Sequence, residues 1–413
     1  MHHPERSAPP RVQRGEGPLD AVSNLYTNAL RRELVGLRRS IHQNPELAFQ
    51  ERGTAERLVA SLARLGVRDV TRIGETGIVA RVPGKNRTAQ VVAVRGDIDA
   101  LPIQEATGLP FASDTPGVMH ACGHDVHATW AVGSAALLAE SPAEGDVLIV
   151  LQPAEETGRG ALSILESGAL DEATAIFGGH VDRRFDVGQV VADEGPLAAS
   201  ADTFEIELVG AGAHAARPHE SRDPIVALAA VISAIQSIVA RRLNPATPGV
   251  VTIGTVHAGA APNVIPDRAT LSGTVRAVEP HSRAMMLDEV RKLTESVASG
   301  FGVEARVTLD HGTPPIVNPP DATGWARQAA ASVLGPDSLV PLGFLNLAGE
   351  DFAHYMERIP GCFLRIGARE PGGKVIPAHA PTFYPAEESI FIGAAVLAEC
   401  ARTASRALSG KLG

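Results

Sequence analysis

An α/β fold interrupted by a smaller ferredoxin-like unit is predicted by three observations in the sequence. Short apolar runs alternate with helical stretches through the first half, the signature of strands buried on both faces of a sheet. From about Ser200 the texture changes to strictly alternating strands with one wet face. After Pro314 the first texture returns. At 413 residues the chain exceeds one compact core. The boundaries read as residues 1–198 plus 313–413 for a larger catalytic domain and 199–312 for an inserted domain.

Taken in order, the residues up to about Gly17 are rich in Pro, Arg and His and carry no apolar core of a secretory signal. They predict a flexible lead-in over 1–20 and, with the sparse cysteines, a cytoplasmic location. Helices are predicted over Ala21–Gln43 and Thr54–Leu65. Val91–Val94, Val147–Leu151 and Ala175–Phe177 are the short apolar runs of a parallel sheet, with helices over His127–Ala139 and Gly160–Gly168 between them. Thr203–Val209 alternates, with Phe204, Ile206 and Leu208 on one face and Glu205 and Glu207 on the other. Asp223-Pro224 opens the next helix as N-cap and first-turn proline. Strands over Val250–Val256 and Thr270–Arg276, a helix over Arg283–Val297 and a strand over Val303–Leu309 complete the order βαββαβ of a split ferredoxin-like unit.

Composition excludes several classes. The formal net charge of −10, with no dense basic run, disfavours nucleic-acid and anionic-membrane partners. The most apolar stretch, Ile225–Ala240, is broken by Ser233, Gln236 and Ser237 and is too short to span a bilayer. Three cysteines, Cys122, Cys362 and Cys400, are too few and odd in number for a disulfide framework.

Ligands of open α/β sheets bind beyond the carboxyl ends of the strands. Here those positions are crowded with chemistry. Val91–Val94 leads into Arg95-Gly-Asp97-Ile-Asp99, Val147–Leu151 into Gln152-Pro-Ala-Glu155-Glu156, and Ala175–Phe177 into Gly178-Gly-His180. His120-Ala-Cys122-Gly-His124-Asp125-Val-His127 stands at a helix start. Each alone has an ordinary structural explanation: a lone Asp caps a helix, paired glutamates form a solvated face, a cysteine fills a core. Together, carboxylates, imidazoles and a thiol at consecutive strand ends are the donor mix of a divalent metal site. Hydrolysis further needs a group that takes a proton from water without ligating, and adjacent glutamates offer that division of labour. A thiolate can present two lone pairs to two cations.

These motifs, with Pro262-Asn-Val-Ile-Pro-Asp267, Gly349-Glu-Asp-Phe352 and Ala378-His-Ala-Pro381, resemble those of the aminoacylase, hippurate hydrolase and auxin-conjugate amidohydrolase branch of the co-catalytic zinc peptidases. The resemblance spans roughly Leu34 to Ala398. It implies a zinc-peptidase-like mixed-sheet catalytic domain with an inserted dimerisation domain, hence a homodimer. It implies two divalent metal ions, zinc first, with manganese, cobalt or nickel as alternatives. Cys122 would bridge them, His124 and His180 completing one site, Glu156 and His379 the other. Glu155 would be the general base and Asp97 would orient a histidine ligand; where many relatives carry histidine this chain has Arg95, and His124 takes over that ligand. His214 would polarise the scissile carbonyl, often across a dimer, and Asn263 and Arg276 would hold the substrate carboxylate. The implied substrate is a small N-acyl amino acid, with a dipeptidase or carboxypeptidase activity as the alternative. Read as structure alone, His214 is a surface histidine, Asn263 shapes a turn and Arg276 is an edge charge. His127, Asp125 and His219 read as structural or as supports behind the ligands. Two departures, Ala211 before His214 and the proline-free Val181-Asp-Arg-Arg-Phe185, bear on substrate choice. A metal-free binding relative would lack a ligand or the base, and none is missing.

Overall fold

The computed structural model describes residues 22–410. The predicted lead-in, and Ala21 at the start of the first predicted helix, lie outside the described residues. The predicted helix is also interrupted: a short helical turn at 22–24 precedes α1 (Asn28–Gln43), whose N-cap Thr27 accepts from the Leu30 amide. A capping threonine stops the upstream turn from running on. Next come α2 (Arg52–Arg64), β1 (Asp69–Ile73), β2 (Gly77–Val82), β3 (Val91–Asp97), α3 (His124–Glu140), β4 (Val147–Gln152), α4 (Gly160–Glu166), β5 (Ala173–Asp186), β6 (Val190–Val191) and β7 (Gly195–Ala198).

A smaller antiparallel sheet follows, from β8 (Ala201–Val209), β9 (Ala213–His214), α5 (Pro224–Ile235), β10 (Gly249–Ala258), β11 (Val264–Ile265), β12 (Arg268–Ala277), α6 (Pro280–Gly300) and β13 (Glu304–Thr313). The chain then returns through β14 (Ile316–Asn318), α7 (Pro320–Leu334), α8 (Phe352–Met356), β15 (Gly361–Arg369) and α9 (Glu388–Gly410).

The large sheet has seven strands in the order β1-β2-β4-β3-β5-β15-β6. Its interior pairs β4–β3, β3–β5 and β5–β15 are parallel, and its flanking pairs antiparallel, so the sheet is mixed. Each face has its own apolar core. One lies against α1, α2, α3, α7 and α9, with Trp130, Leu34 and Ile390 fully buried; the other lies against α4 and α8, with Phe352 and Phe363. Burial on both faces explains why β3 and β4 read as unbroken apolar runs.

The four-stranded sheet is ordered β10-β12-β8-β13, with α5 and α6 on one face over a separate core of Phe204, Ile206, Leu208, Val231 and Met286. Its first and last strands in chain order meet at Ala201 and Thr313, next to the separate two-stranded pair of β7 and β14.

Two features of the large sheet escape the sequence pattern. The β1–β2 hairpin at the edge is one, because Asp-Val-Thr-Arg-Ile carries no apolar alternation. The length of β5 is the other. It does not end before Gly178-Gly179 but continues through His180 to Asp186, still pairing with β15. The glycines are needed for packing: a Cβ on Gly178 would lie 2.6 Å from the Phe352 ring. His180 therefore projects from within a strand.

Candidate metal centre

The start of α3, the turn after β4, β5 and the loop around His379 deliver the five donors, and the end of β3 delivers carboxylates behind them. β3 ends at Asp97, with Asp99 just beyond. α3 begins at His124 after Gly123, whose φ of 94° is open to glycine alone, so Cys122 is held at the helix start. After β4, Ala154 takes a left-handed φ of 53° and turns Glu155 and Glu156 into the same space. The buried Glu51 carboxylate fixes that turn by accepting from the Ala154 amide at 2.9 Å.

The structure brings together all five predicted ligands. Cys122, His124 and His180 place one donor atom each within 4.8 Å of one another, and so do Cys122, Glu156 and His379. The two triads share the thiol. Cys122 Sγ lies 3.1 Å from His180 Nε2, and His379 Nε2 lies 3.2 Å from Glu156 Oε1. His379, with a left-handed φ of 68°, is anchored by its own amide, which donates to the Ala121 carbonyl at 2.8 Å.

The imidazoles are aimed from behind. His180 Nδ1 donates to the Val181 carbonyl at 2.7 Å, which turns Nε2 toward Cys122. His124 Nδ1 is held by the Asp99 carboxylate at 3.0 Å and its carbonyl at 2.9 Å. His124 Nε2 is buried without a hydrogen-bond partner, 3.9 Å from both Glu155 and Glu156. An orphaned, buried lone pair facing carboxylates and a thiol fits a divalent cation.

Asp97 does not orient His124 directly. Its Oδ1 is 2.7 Å from His127 Nδ1, and His127 Nε2 accepts from the Val181 amide at 3.0 Å. Asp97 thus steadies the strand that carries His180, and the orienting carboxylate for His124 is Asp99, which sequence reasoning did not assign. Its signal was position: Asp99 follows Asp97 by two residues in the same acidic run.

Arg95, fully buried, binds the Gln152 oxygen at 2.8 Å and the Asp351 carboxylate at 2.9 Å, with Asp97 on its third arm. The Glu350-Asp351 pair therefore supports the site from beneath. The Asp351 amide donates to Glu155 Oε1 at 3.2 Å, which leaves Glu155 Oε2 toward the donors.

Charge states follow from this crowding. Burial, with Glu350, Asp351 and Glu156 close by, holds the Glu155 carboxyl well above the usual range. Burial also acts on Glu156, but hydrogen bonding to His379 and the nearby His124 outweigh it and keep Glu156 below the ordinary value. Burial pushes the Cys122 thiol up to about 12, so only a bound cation would keep it a thiolate at neutral pH.

Arg276 lines a cleft with Glu155, Glu156 and His379. His214 and Asn263 do not reach it. They line a separate shallow surface pocket, on the β9–β11 pair that sets His214 opposite Val264. His219 is exposed beside them, and Asp125 is buried against Arg38 at 2.7 Å and His42 at 2.8 Å. Cys362 and Cys400 are buried and unpaired.

An α/β protein with paired donor triads at its strand ends and a carboxylate beside them belongs to the class of dinuclear-type hydrolases. The chain belongs to peptidase family M20/M25/M40, whose family model matches residues 93–403. It is a metal-dependent hydrolase of the amidohydrolase and peptidase type. It is 39% identical over 383 residues to the N-acetylcysteine deacetylase of Bacillus subtilis (strain 168), covering 90% of this chain and 97% of that one. It is 38% identical over 378 residues to the IAA-amino acid hydrolase ILR1-like 4 of Arabidopsis thaliana, covering 89% and 84%. The solved YXEP protein of Bacillus subtilis, described as a dinuclear metal binding peptidase from the M20 family, superposes with a TM-score of 0.81 at 35% identity, over 92% of this chain and 99% of that one. Among the described residues no helix is long and apolar enough to cross a membrane.

Proposed function

We propose that the protein hydrolyses the amide bond of N-acyl-L-amino acids, releasing a carboxylate and the free amino acid. The observation that carries this reading is the pair of donor triads sharing Cys122, with Glu155 beside them, its Oε1 held by the Asp351 amide and its Oε2 3.9 Å from His124 Nε2. Two divalent cations, zinc by preference for a thiolate–imidazole set, would be held by Cys122, His124 and His180 and by Cys122, Glu156 and His379, and would supply Lewis acidity toward the carbonyl and the attacking water.

The chain's own residues do the rest. Glu155 takes the proton of the attacking water and returns it to the leaving nitrogen as the carbon–nitrogen bond breaks. Its amide tether to Asp351 keeps one oxygen fixed and the other free to move that proton. Arg276 grips the leaving amino acid's carboxylate bidentately from its place in the cleft. His214 and Asn263, which lie outside that cleft, serve the site of a second copy, His214 donating to the oxygen on which charge develops.

The unit of 199–312 is thus read as an inserted dimerisation domain. Its edge strand β10 is exposed from Gly254 to Ala258, and Ile225, Val226, Val256 and Val264 stand in solvent on the same unit. An unpaired strand edge beside apolar side chains is a surface that pairing with a second copy would cover.

The test is amino-acid release from a panel of N-acyl amino acids and dipeptides, with zinc, manganese or cobalt added and with a chelated control. Metal-dependent release from the acylated amino acids supports the reading. Release from dipeptides alone overturns it in favour of a dipeptidase.

A further inference from the structure

Two cavities meet at the candidate centre. Both are lined by Glu155, Glu156, His379 and the Ala348–Glu350 stretch. One contains Arg276. The other, a cleft of about 310 Å³, runs past His180 to Arg365, Asn346 and the apolar Val375, Ile376 and Phe383. On the reading above, which this inference extends, Arg276 marks the side of the leaving amino acid, so the second cleft receives the acyl group.

Arg365 is unusual among the buried arginines. It lies on β15 directly beside His180 of β5 and is only 7% exposed. Arg38, Arg95 and Arg183 are buried with carboxylates in hand, Asp125, Asp351 and Glu370 respectively. Among the described residues Arg365 has no side-chain hydrogen bond or ion pair, and its Nε is buried without a partner. The nearest acids are already taken: Asp182 is held by Arg184 at 2.7 Å, and Glu350 by Arg95 at 3.1 Å. Phe363 offers its ring at 5.6 Å, a weak substitute for a counter-ion. A buried guanidinium left without an anion is costly, and a five-donor fork facing a substrate cleft is the group that reads a carboxylate.

We infer that Arg365 forms an anion subsite and that the preferred acyl group carries a terminal carboxylate: the substrates are half-amides of short dicarboxylic acids with an amino acid. The apolar wall of Val375, Ile376 and Phe383 accommodates the methylenes between the scissile carbonyl and that carboxylate. Hydrolysis then releases a dicarboxylate and the amino acid, the water oxygen going to the acyl carbon and a proton to the nitrogen.

The test compares kcat/KM for N-malonyl, N-succinyl and N-glutaryl derivatives of one L-amino acid with N-acetyl and N-butyryl derivatives, in wild type, Arg365→Met and Arg365→Lys. It also compares binding of succinamate with that of neutral butyramide by calorimetry. Wild type should favour at least one dicarboxylic substrate, and succinamate, by on the order of 10- to 100-fold. In Arg365→Met both ratios should collapse toward one, and Arg365→Lys should recover part of each. Ratios near one in the wild type, or unchanged in a folded Arg365→Met, overturn the inference. If Arg365→Met does not fold, the lysine variant and the wild-type ratios decide. If succinamate binds selectively through Arg365 but no acyl-amino acid is cut, the proposed reaction fails while the anion subsite stands.

Discussion

At the candidate centre, Cys122, His124 and His180 are no more than 8% exposed, and the Nδ1 atoms of His124 and His180 are tied to a carboxylate or carbonyl behind them. His214 stands instead on a two-residue strand pair open to solvent, with Asn263 in the turn just before its partner strand, and the His214 ring accepts the Ala216 amide at 3.1 Å. The first region is fixed before any substrate arrives. The second is held by backbone hydrogen bonds, with its functional side chains left in solvent. Chemistry that needs exact placement sits on strands buried on both faces, while a group that must be brought to its substrate sits on a solvent-facing ribbon.

The contrast can be broken most forcefully at Glu155. Glu155→Gln should lower kcat by on the order of 10²- to 10⁴-fold while the metal content of the purified protein stays at the wild-type level. Loss of metal together with activity would make Glu155 a ligand instead.

His214→Ala should cost about 10²- to 10³-fold in kcat yet leave the thermal midpoint nearly unmoved, because its side chain holds only the exposed Ala216 amide. Mixing His214→Ala with Glu155→Gln subunits sharpens the point. If the histidine acts across a dimer, random reassociation restores roughly a quarter of the wild-type sites. No recovery after verified subunit exchange would return His214 to its own chain.

Asp125→Ala tests the opposite region. It takes one carboxylate from buried Arg38 and His42, which keep Glu387 at 3.6 Å and Glu105 at 3.1 Å, and should destabilise the fold by about 3 kcal/mol, read as a fall in calorimetric midpoint. A smaller effect than that of His214→Ala would invert the comparison.

The gentlest probe is pH. Burial, aided by Asp99, raises the carboxyl of Glu51 from an ordinary 4.5 to about 6, so the folded state favours its protonated form. That contribution is complete below about pH 4.5 and is lost as pH rises through about 6, a loss on the order of 2 kcal/mol. Glu51→Gln keeps the acceptor for Ala154 and should flatten the pH dependence of the midpoint between 4.5 and 7. An unchanged slope would clear Glu51 of responsibility.

Much of this was legible in the sequence because burial on both faces leaves a one-dimensional trace. β3 and β4 read as apolar runs, and the residues just past each run are those the strand end presents: Asp97 and Asp99, then Glu155 and Glu156. The alternation of Thr203–Val209 likewise records one wet face. The features that stayed hidden depend on contacts distant in sequence. Gly178-Gly179 looks like a turn until Phe352, far along the chain, is seen to need the space. Arg365 sits in an ordinary-looking strand, and only the lack of a partner among the described residues distinguishes it. That Arg276 shares a cleft with Glu155 while His214 and Asn263 do not is a matter of three-dimensional placement that no spacing encodes.

The pairing of Ala201 with Thr313 is the point where the smaller sheet's first and last strands leave for the β7–β14 pair. Any rotation of the smaller sheet about this root would have it as the fulcrum. From it β8 runs nine residues outward, an arm of roughly 27 Å, so a rotation of about 10° about that point carries the far tip by roughly 5 Å. The fulcrum bears directly on the Glu350-Asp351 loop: a Cβ on Gly349 would lie 2.8 Å from both Ala201 and Thr313. Glycine there lets strand and loop touch without a spacer, so a swing carrying the His214 patch would be felt two residues from the amide that holds Glu155.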